Sequence, residues 1–393
     1  MNKRVYFDYS ATTPMKKEVL DEMLPFFNTD FGNPSSVHSF GRQGKNALDI
    51  ARDRVAKTLN AKSEEVFFTG GGSEADNWAI KGVAFANKNK GNHIITTKIE
   101  HHAVLHTCEY LEKEGFEVTY LDVDQYGLVN IDDLKSAIKD STILITIMYA
   151  NNEIGTVQPI KEIGQIAKEK GIIFHTDAVQ AYGNVIIDVN DLGVDLLSIS
   201  AHKVYGPKGV GALYIKRGTK IHQLIHGGAQ EKRRRAGTEN IPGIVGFGKA
   251  AEMAYENIED HINRLISMRD KLIKGIMEKI PYTKLNGHPT KRLPGNANIS
   301  IEFIEGEALL LSLDMVGIAA SSGSACTSGS LDPSHVLMAI GLSHEIAHGS
   351  LRLTMGDFTT EEDVDYVIEK LPAIVDRLRQ MSPLYEKVKG GNK

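Results

Sequence analysis

Apolar and polar positions along this chain follow two rhythms, and the balance between them changes near residue 250. Residues 42–59 carry Ala47, Ile50, Ala51, Val55 and Leu59 at the spacing of one helix face. Residues 131–138 and 159–170 also read as helices, the latter with Pro159 near its start. Between and after them come short apolar runs rich in β-branched residues: 94–97, 142–149, 172–177, 195–200 and 210–215. These predict buried strands. Strands separated by helices argue for an α/β fold, with a mostly parallel central sheet covered by helices on both faces.

After about residue 250 the order differs. A long, charged helical stretch over about 248–279 is followed by a strand (297–303), a helix (306–315) and a Gly/Ser-rich loop (321–330). A strand (350–355) and a final helix (360–380) close the chain. This half reads as a smaller α+β domain. A chain of 393 residues is too long for one ordinary core. We expect a large domain over 15–255 and a small one built from 1–14 and 256–393.

Composition narrows the function. A net charge of -5 gives no reason to expect a nucleic-acid binder. The local run Lys232-Arg233-Arg234-Arg235 is the exception, and a solvated loop is its ordinary reading. No apolar stretch approaches the roughly 18 residues of a membrane span. The N-terminus lacks the apolar core and cleavage site of a signal peptide, so a cytoplasmic protein is expected. Two cysteines, Cys108 and Cys326, are too few for a disulfide framework or an all-cysteine metal site.

Six places carry candidate chemistry. Lys203, in Ser200-Ala201-His202-Lys203, follows an apolar strand; a lysine desolvated there can form a Schiff base with an aldehyde. Alternatively it points into water. Asp177 ends the strand 172–177, where open α/β sheets bind ligands. A carboxylate there can hold a protonated pyridine nitrogen, and Gln180 can reach a ring oxygen. A helix-capping aspartate is the alternative. Gly70-Gly71-Gly72-Ser73 leads into a helix whose bare N–H groups suit a phosphate, unless it is a plain turn capped by Ser73. His101, in Glu100-His101-His102-Ala103, can stack on a flat cofactor and relay protons. No third ligand follows the histidine pair at zinc-like spacing. Cys326 lies in Ser321-Ser322-Gly323-Ser324-Ala325-Cys326, a loop composition that favours an accessible, mobile thiol. Cys108, in a helical apolar run, reads as structural. Arg352 sits inside a short apolar strand and needs a carboxylate, from a substrate or from the protein itself.

Order and spacing together are more specific than any one motif. The sequence resembles fold-type I pyridoxal-phosphate enzymes of the class V aminotransferase type, and within them the NifS/IscS group of cysteine desulfurases. The resemblance is nearly end to end. It runs from Tyr6-Phe7-Asp8-Tyr9-Ser10-Ala11-Thr12-Thr13-Pro14 through Asn151-Asn152-Glu153-Ile154-Gly155, Ser200-Ala201-His202-Lys203 and Arg235-Ala236-Gly237-Thr238-Glu239-Asn240 to Ser324-Ala325-Cys326 and Arg352. It implies that Lys203 carries pyridoxal 5'-phosphate as a Schiff base and that His101 stacks over the ring. Asp177 would hold the pyridine nitrogen and Gln180 the ring hydroxyl. Gly72, Ser73, Ser200 and His202 would bind the phosphate, joined by Thr238 from the neighbouring subunit of a homodimer. Asn152 and Arg352 would fix the carboxylate of L-cysteine, and Cys326 would take its sulfur as a persulfide.

The same resemblance implies release of L-alanine and delivery of sulfur to an acceptor or iron–sulfur scaffold protein. It implies no resident metal, with Cys326 transiently bridging at most to an acceptor-bound iron–sulfur cluster. The basic run 232–235 would suit an acidic acceptor. Other readings compete: a different pyridoxal-phosphate enzyme such as an aminotransferase or selenocysteine lyase, or a non-catalytic sulfur-carrier scaffold. A nicotinamide-dependent oxidoreductase fails, because no G-x-G-x-x-G follows an early strand.

Overall fold

The computed structural model describes residues 3–322 and 333–390. The chain starts with a short strand, β1 (Val5–Tyr6), and then builds a seven-stranded sheet. Its strands are β2 (Val66–Thr69), β3 (His93–Thr97), β4 (Glu117–Leu121), β5 (Thr142–Thr146), β6 (Ile173–Asp177), β7 (Leu196–Ser200) and β8 (Gly211–Ile215). They lie in the order β2-β8-β7-β6-β5-β3-β4. Neighbours from β7 to β4 pair in parallel, and β8 is antiparallel to both of its neighbours.

Side chains alternate across each strand, and that alternation divides the core. Val66, Phe68, Ile95, Ile145, Ala212 and Tyr214 face one layer, closed by the helices Ser39–Thr58, Ile160–Lys170 and Ile241–Glu256. Phe67, Ile94, Leu144 and Leu213 face the other, closed by Gly72–Asn87 and His102–Lys113. Cys108 is buried in this second layer, where desolvation pushes its thiol pKa up, so it is structural as expected.

A second core surrounds a three-stranded antiparallel sheet of β9 (Thr283–Asn286), β10 (Asn296–Ile301) and β12 (Ser350–Thr354), in the order β12-β10-β9. The helices Ile258–Lys279, Gly306–Met315 and Glu361–Gln380 pack on it. β11 (Ile318–Ala319) pairs in parallel with β1, which carries Val5 and Phe7 into the same core.

The long helix expected over 248–279 is two helices, Ile241–Glu256 and Ile258–Lys279, broken at Asn257 (φ −138, ψ 45). No proline or glycine marks the break. Its cause is tertiary: Phe247, Ala250 and Ala251 serve the first core, whereas Leu265, Met268, Leu272 and Ile276 serve the second. β1, β2, β4, β9 and β11 lie outside the strands read from the sequence. β1, β2, β9 and β11 have four residues or fewer, too short for a periodicity to stand out; β4 is an edge strand, mostly half-buried, and so lacks the continuous apolar run of the central strands.

The basic run departs from a simple solvated loop. Glu231, Lys232 and Arg233 take left-handed backbone conformations (φ 43, 56 and 65). The buried Glu231 carboxylate receives two 2.7 Å hydrogen bonds from Arg52 and one from the Phe68 N–H. Lys232 and Arg234 lie over the Phe67 ring, and Arg235 forms an ion pair with Glu74.

Candidate active site

The carboxyl ends of the parallel strands deliver the candidate residues to one place. His101 follows β3, Asn152 follows β5, Asp177 ends β6, and Ser200 through Lys203 end β7. This is where an open parallel sheet presents ligand-binding groups, at the point where successive strands diverge to opposite sides. Here the divergence falls between β3 and β5. A cavity of about 300 Å³ at this point is lined by Gly72, Ser73, His101, Asn152, Asp177, Gln180, Ser200, His202, Lys203 and Arg352. Ten residues singled out from the sequence are thus brought together. Thr238 is exposed and does not line this cavity, and Cys326 lies outside the described residues.

A neighbouring hollow of about 310 Å³ shares Ser10, Gln180 and Lys203 but lacks Asp177, His101 and the glycine turn. The chemistry therefore assigns the site to the first cavity.

Local structure explains each placement. Gly71 caps the helix Gly72–Asn87 in a conformation with φ +151 that disfavours side chains. A Cβ on Gly72 would come within 2.7 Å of Val179, so glycine lets this helix end close on the strand carrying Asp177. Ser73 is the second helical residue, not the cap. Glu74 accepts a hydrogen bond from the Gly70 N–H (2.8 Å) and two from Arg235 (2.9 and 3.1 Å), which ties the turn to the segment before Thr238.

The Lys203 amine donates to the carbonyls of Ser10 and Ala11, the latter at 2.8 Å. It does not point into open water. The Gln180 amide also donates to the Ser10 carbonyl (2.9 Å). Asn151 spends its side chain on the turn, bonding the Ile99 carbonyl and the N–H groups of Glu153 and Ile154; its neighbour Asn152 faces the cavity.

Asp177 accepts the Val179 N–H on Oδ1 (2.9 Å) in a turn where no helix begins, so it is not a helix cap, and it lines the cavity. Burial raises its pKa to about 6, opposed by that N–H and by the Lys203 charge. His101 accepts the Ala103 N–H on Nδ1 (3.1 Å), which places the proton of the neutral ring on Nε2. Burial first, then the Lys203 charge, bring its pKa down to about 4. Burial likewise lowers His202 to about 4, with Lys203 and Lys208 adding to the effect.

Arg352, in the middle of β12, is 2% exposed. One guanidinium nitrogen meets Asp8 at 3.0 Å and another donates to the Asn152 carbonyl at 3.1 Å. Nε has no hydrogen-bond partner among the described residues. The internal ion pair and a spare donor beside the cavity therefore coexist.

Sequence reasoning missed Asp76, Ser10 and Ala11 as parts of this wall, and Asp8 as the partner of Arg352. Asp76 was legible in principle: it stands one turn after Gly72, on the helix face that also buries Ala75, Ala79 and Ile80. An acid amid such residues is a signal in itself.

This arrangement defines a class: an α/β enzyme whose strand-end lysine, opposed carboxylate and glycine-led helix terminus suit a flat, phosphorylated aldehyde cofactor. Residues 5–367 match the family model Aminotransferase class-V. A Clostridium botulinum protein, "Cysteine desulfurase IscS", is 64% identical over 388 residues, covering 98% of each chain. Among solved structures, a "NIFS-LIKE PROTEIN" superposes with TM-score 0.90 at 39% identity, covering 96% of this chain and 100% of that one. "SspA in complex with cysteine" superposes with TM-score 0.80 at 40% identity, covering 90% and 99%. The chain belongs to the cysteine desulfurases of the class-V aminotransferase family. Enzymes of this family depend on pyridoxal phosphate. The cavity fits that group, with a glycine turn open for a phosphate and an ionisable carboxyl facing an amine.

Proposed function

We propose that this protein converts L-cysteine to L-alanine and takes the sulfur as a persulfide on Cys326 for an acceptor, an iron–sulfur scaffold protein in particular. The single observation that supports this most is the convergence of Lys203, Asp177, His101 and Arg352 on one cavity.

Bound pyridoxal phosphate would supply the electron sink for the Cα electron pair. The rest falls to the chain. Lys203 would hold the cofactor and move the Cα proton. Asp177 would keep a pyridine nitrogen protonated. Gln180 would meet a ring hydroxyl, and the 72–73 turn, Ser200 and His202 would hold the phosphate. Arg352 and Asn152 would fix the substrate carboxylate. His101 would lie against the cofactor and offer an Nε2 proton. The Cys326 thiolate attacks the substrate sulfur: an S–S bond forms, the substrate C–S bond breaks, and the β-carbon gains a proton. No external oxidant or reductant is needed.

The exposed Thr238 fits a role in the neighbouring site of a homodimer. We also place the boundary of a large (15–255) and a small (1–14 and 256–393) domain at the Asn257 break. No helix among the described residues is long and apolar enough to cross a membrane, consistent with work in the cytoplasm.

Purified protein given L-cysteine and a thiol reductant should release alanine and sulfide in equal amounts. Keto acid formation would instead mark an aminotransferase, and release of neither would mark a non-catalytic carrier. Arg352→Ala should raise the KM for cysteine roughly 10–100-fold, the worth of a charged hydrogen bond of about 1.5–3 kcal/mol. An unchanged KM would leave Arg352 as an internal partner of Asp8 and the Asn152 carbonyl.

A further inference from the structure

Behind Asp177 lies a second carboxyl that the proposed chemistry does not use. Asp76 is 1% exposed, and its Oδ1 has no hydrogen-bond partner among the described residues. The charged or titratable groups around it come from three elements of the fold. His175 and Asp177 share one face of β6, Glu100 and His101 precede the helix His102–Lys113, and Lys203 follows β7. Ligand-type atoms of Asp76, His101 and Asp177 all lie within 4.8 Å of one another.

Burial and the neighbouring carboxyls of Asp177 and Glu100 all act against an Asp76 anion. His175 Nε2 lies 3.7 Å from Asp76 Oδ1. That imidazole is committed elsewhere, to Thr146 Oγ1 (2.8 Å) through Nδ1 and to Ser198 Oγ (2.9 Å) through Nε2. It is also fully buried, which brings its pKa down to about 3 and keeps it neutral. A bare carboxylate in such a place is costly unless paired. Two carboxyls this close do not ionise together readily.

The two are not equivalent. Asp177 has the Val179 N–H and the Lys203 charge in favour of its anion. Asp76 has only the Ser198 hydroxyl, against burial and two carboxyl neighbours, Asp177 and Glu100.

We propose that Asp76 is a positioning residue that keeps a proton at neutral pH, so that the Asp76–Asp177 pair presents one negative charge, on Asp177, to the ring nitrogen of the cofactor. The pair then titrates as a unit, and Asp76 determines which member is the anion. This deepens the functional reading above and rests on it.

The test is infrared difference spectroscopy of the holoenzyme at pH 7, wild type against Asp76→Asn. The expected result is a carbonyl-stretch band of a neutral carboxylic acid, shifted in D₂O and lost in the variant. A difference spectrum showing only carboxylate bands would overturn the proposal. Should Asp76→Asn fail to fold, Ser198→Ala serves in its place: it removes the hydroxyl partner, so the same band should persist and move, and an absent or unmoved band overturns the proposal. Asp177→Asn separates this result from the underlying assignment. If Asp177 does not meet the ring, that variant leaves the cofactor absorbance unchanged, whatever the Asp76 band does.

Discussion

Lys203→Ala should abolish desulfuration and remove the near-visible absorbance that the lysine-bound cofactor gives the wild-type protein. Two losses combine in this one change. The amine that anchors the cofactor aldehyde disappears, and so does the base that moves the Cα proton. Proton transfer by a positioned side chain alone is worth about 10²–10⁴-fold, so the fall should be at least of that order. The amine is held by carbonyls from the N-terminal segment, so its removal should leave the fold intact. Circular dichroism of the variant should match wild type. Undiminished turnover with pyridoxal phosphate present would take Lys203 out of its role and with it the proposed function.

Cys326→Ala should separate binding from sulfur transfer. The variant should keep the cofactor absorbance and respond to added cysteine, yet release no sulfide and carry no persulfide by mass spectrometry. The contrast depends on Cys108 being unable to substitute. Cys108 is fully buried in the layer between the sheet and two helices, and burial disfavours its thiolate. Nucleophilic sulfur chemistry needs both access and thiolate. Normal sulfide release by Cys326→Ala would end the persulfide route, whichever residue then took the sulfur.

The sequence was most informative where chemistry coincides with a strand end. Asp177 and Lys203 each close an apolar run, and a parallel sheet brings such ends together whatever the details of the loops. The Gly70–Gly72 turn was legible for a similar reason, because few other residues suit the conformation at Gly71. Asp8 was not legible as a partner of Arg352. Their meeting depends on the N-terminal segment running beside β12, where Thr354 donates its N–H to the Phe7 carbonyl. No local pattern encodes that. The break at Asn257 was hidden for a related reason: two helices with continuous helical periodicity belong to different cores, and only the identity of their packing partners separates them. Arg235 was read as one charge in a basic run, whereas the fold spends it on Glu74 and the glycine turn.

The contact between Asp8 and Arg352 joins positions 344 residues apart. Ser10 and Ala11, which cradle the Lys203 amine, are made long before the lysine, and the arginine that completes the wall long after it. Apart from Leu293, the buried residues of the larger core all precede residue 257, so that part of the polypeptide is free to fold while synthesis continues. The catalytic chamber is not. A nascent chain stalled before β12 would carry the lysine and its carboxylate but lack the arginine clamp for an amino acid, which delays substrate capture until β12 has been made.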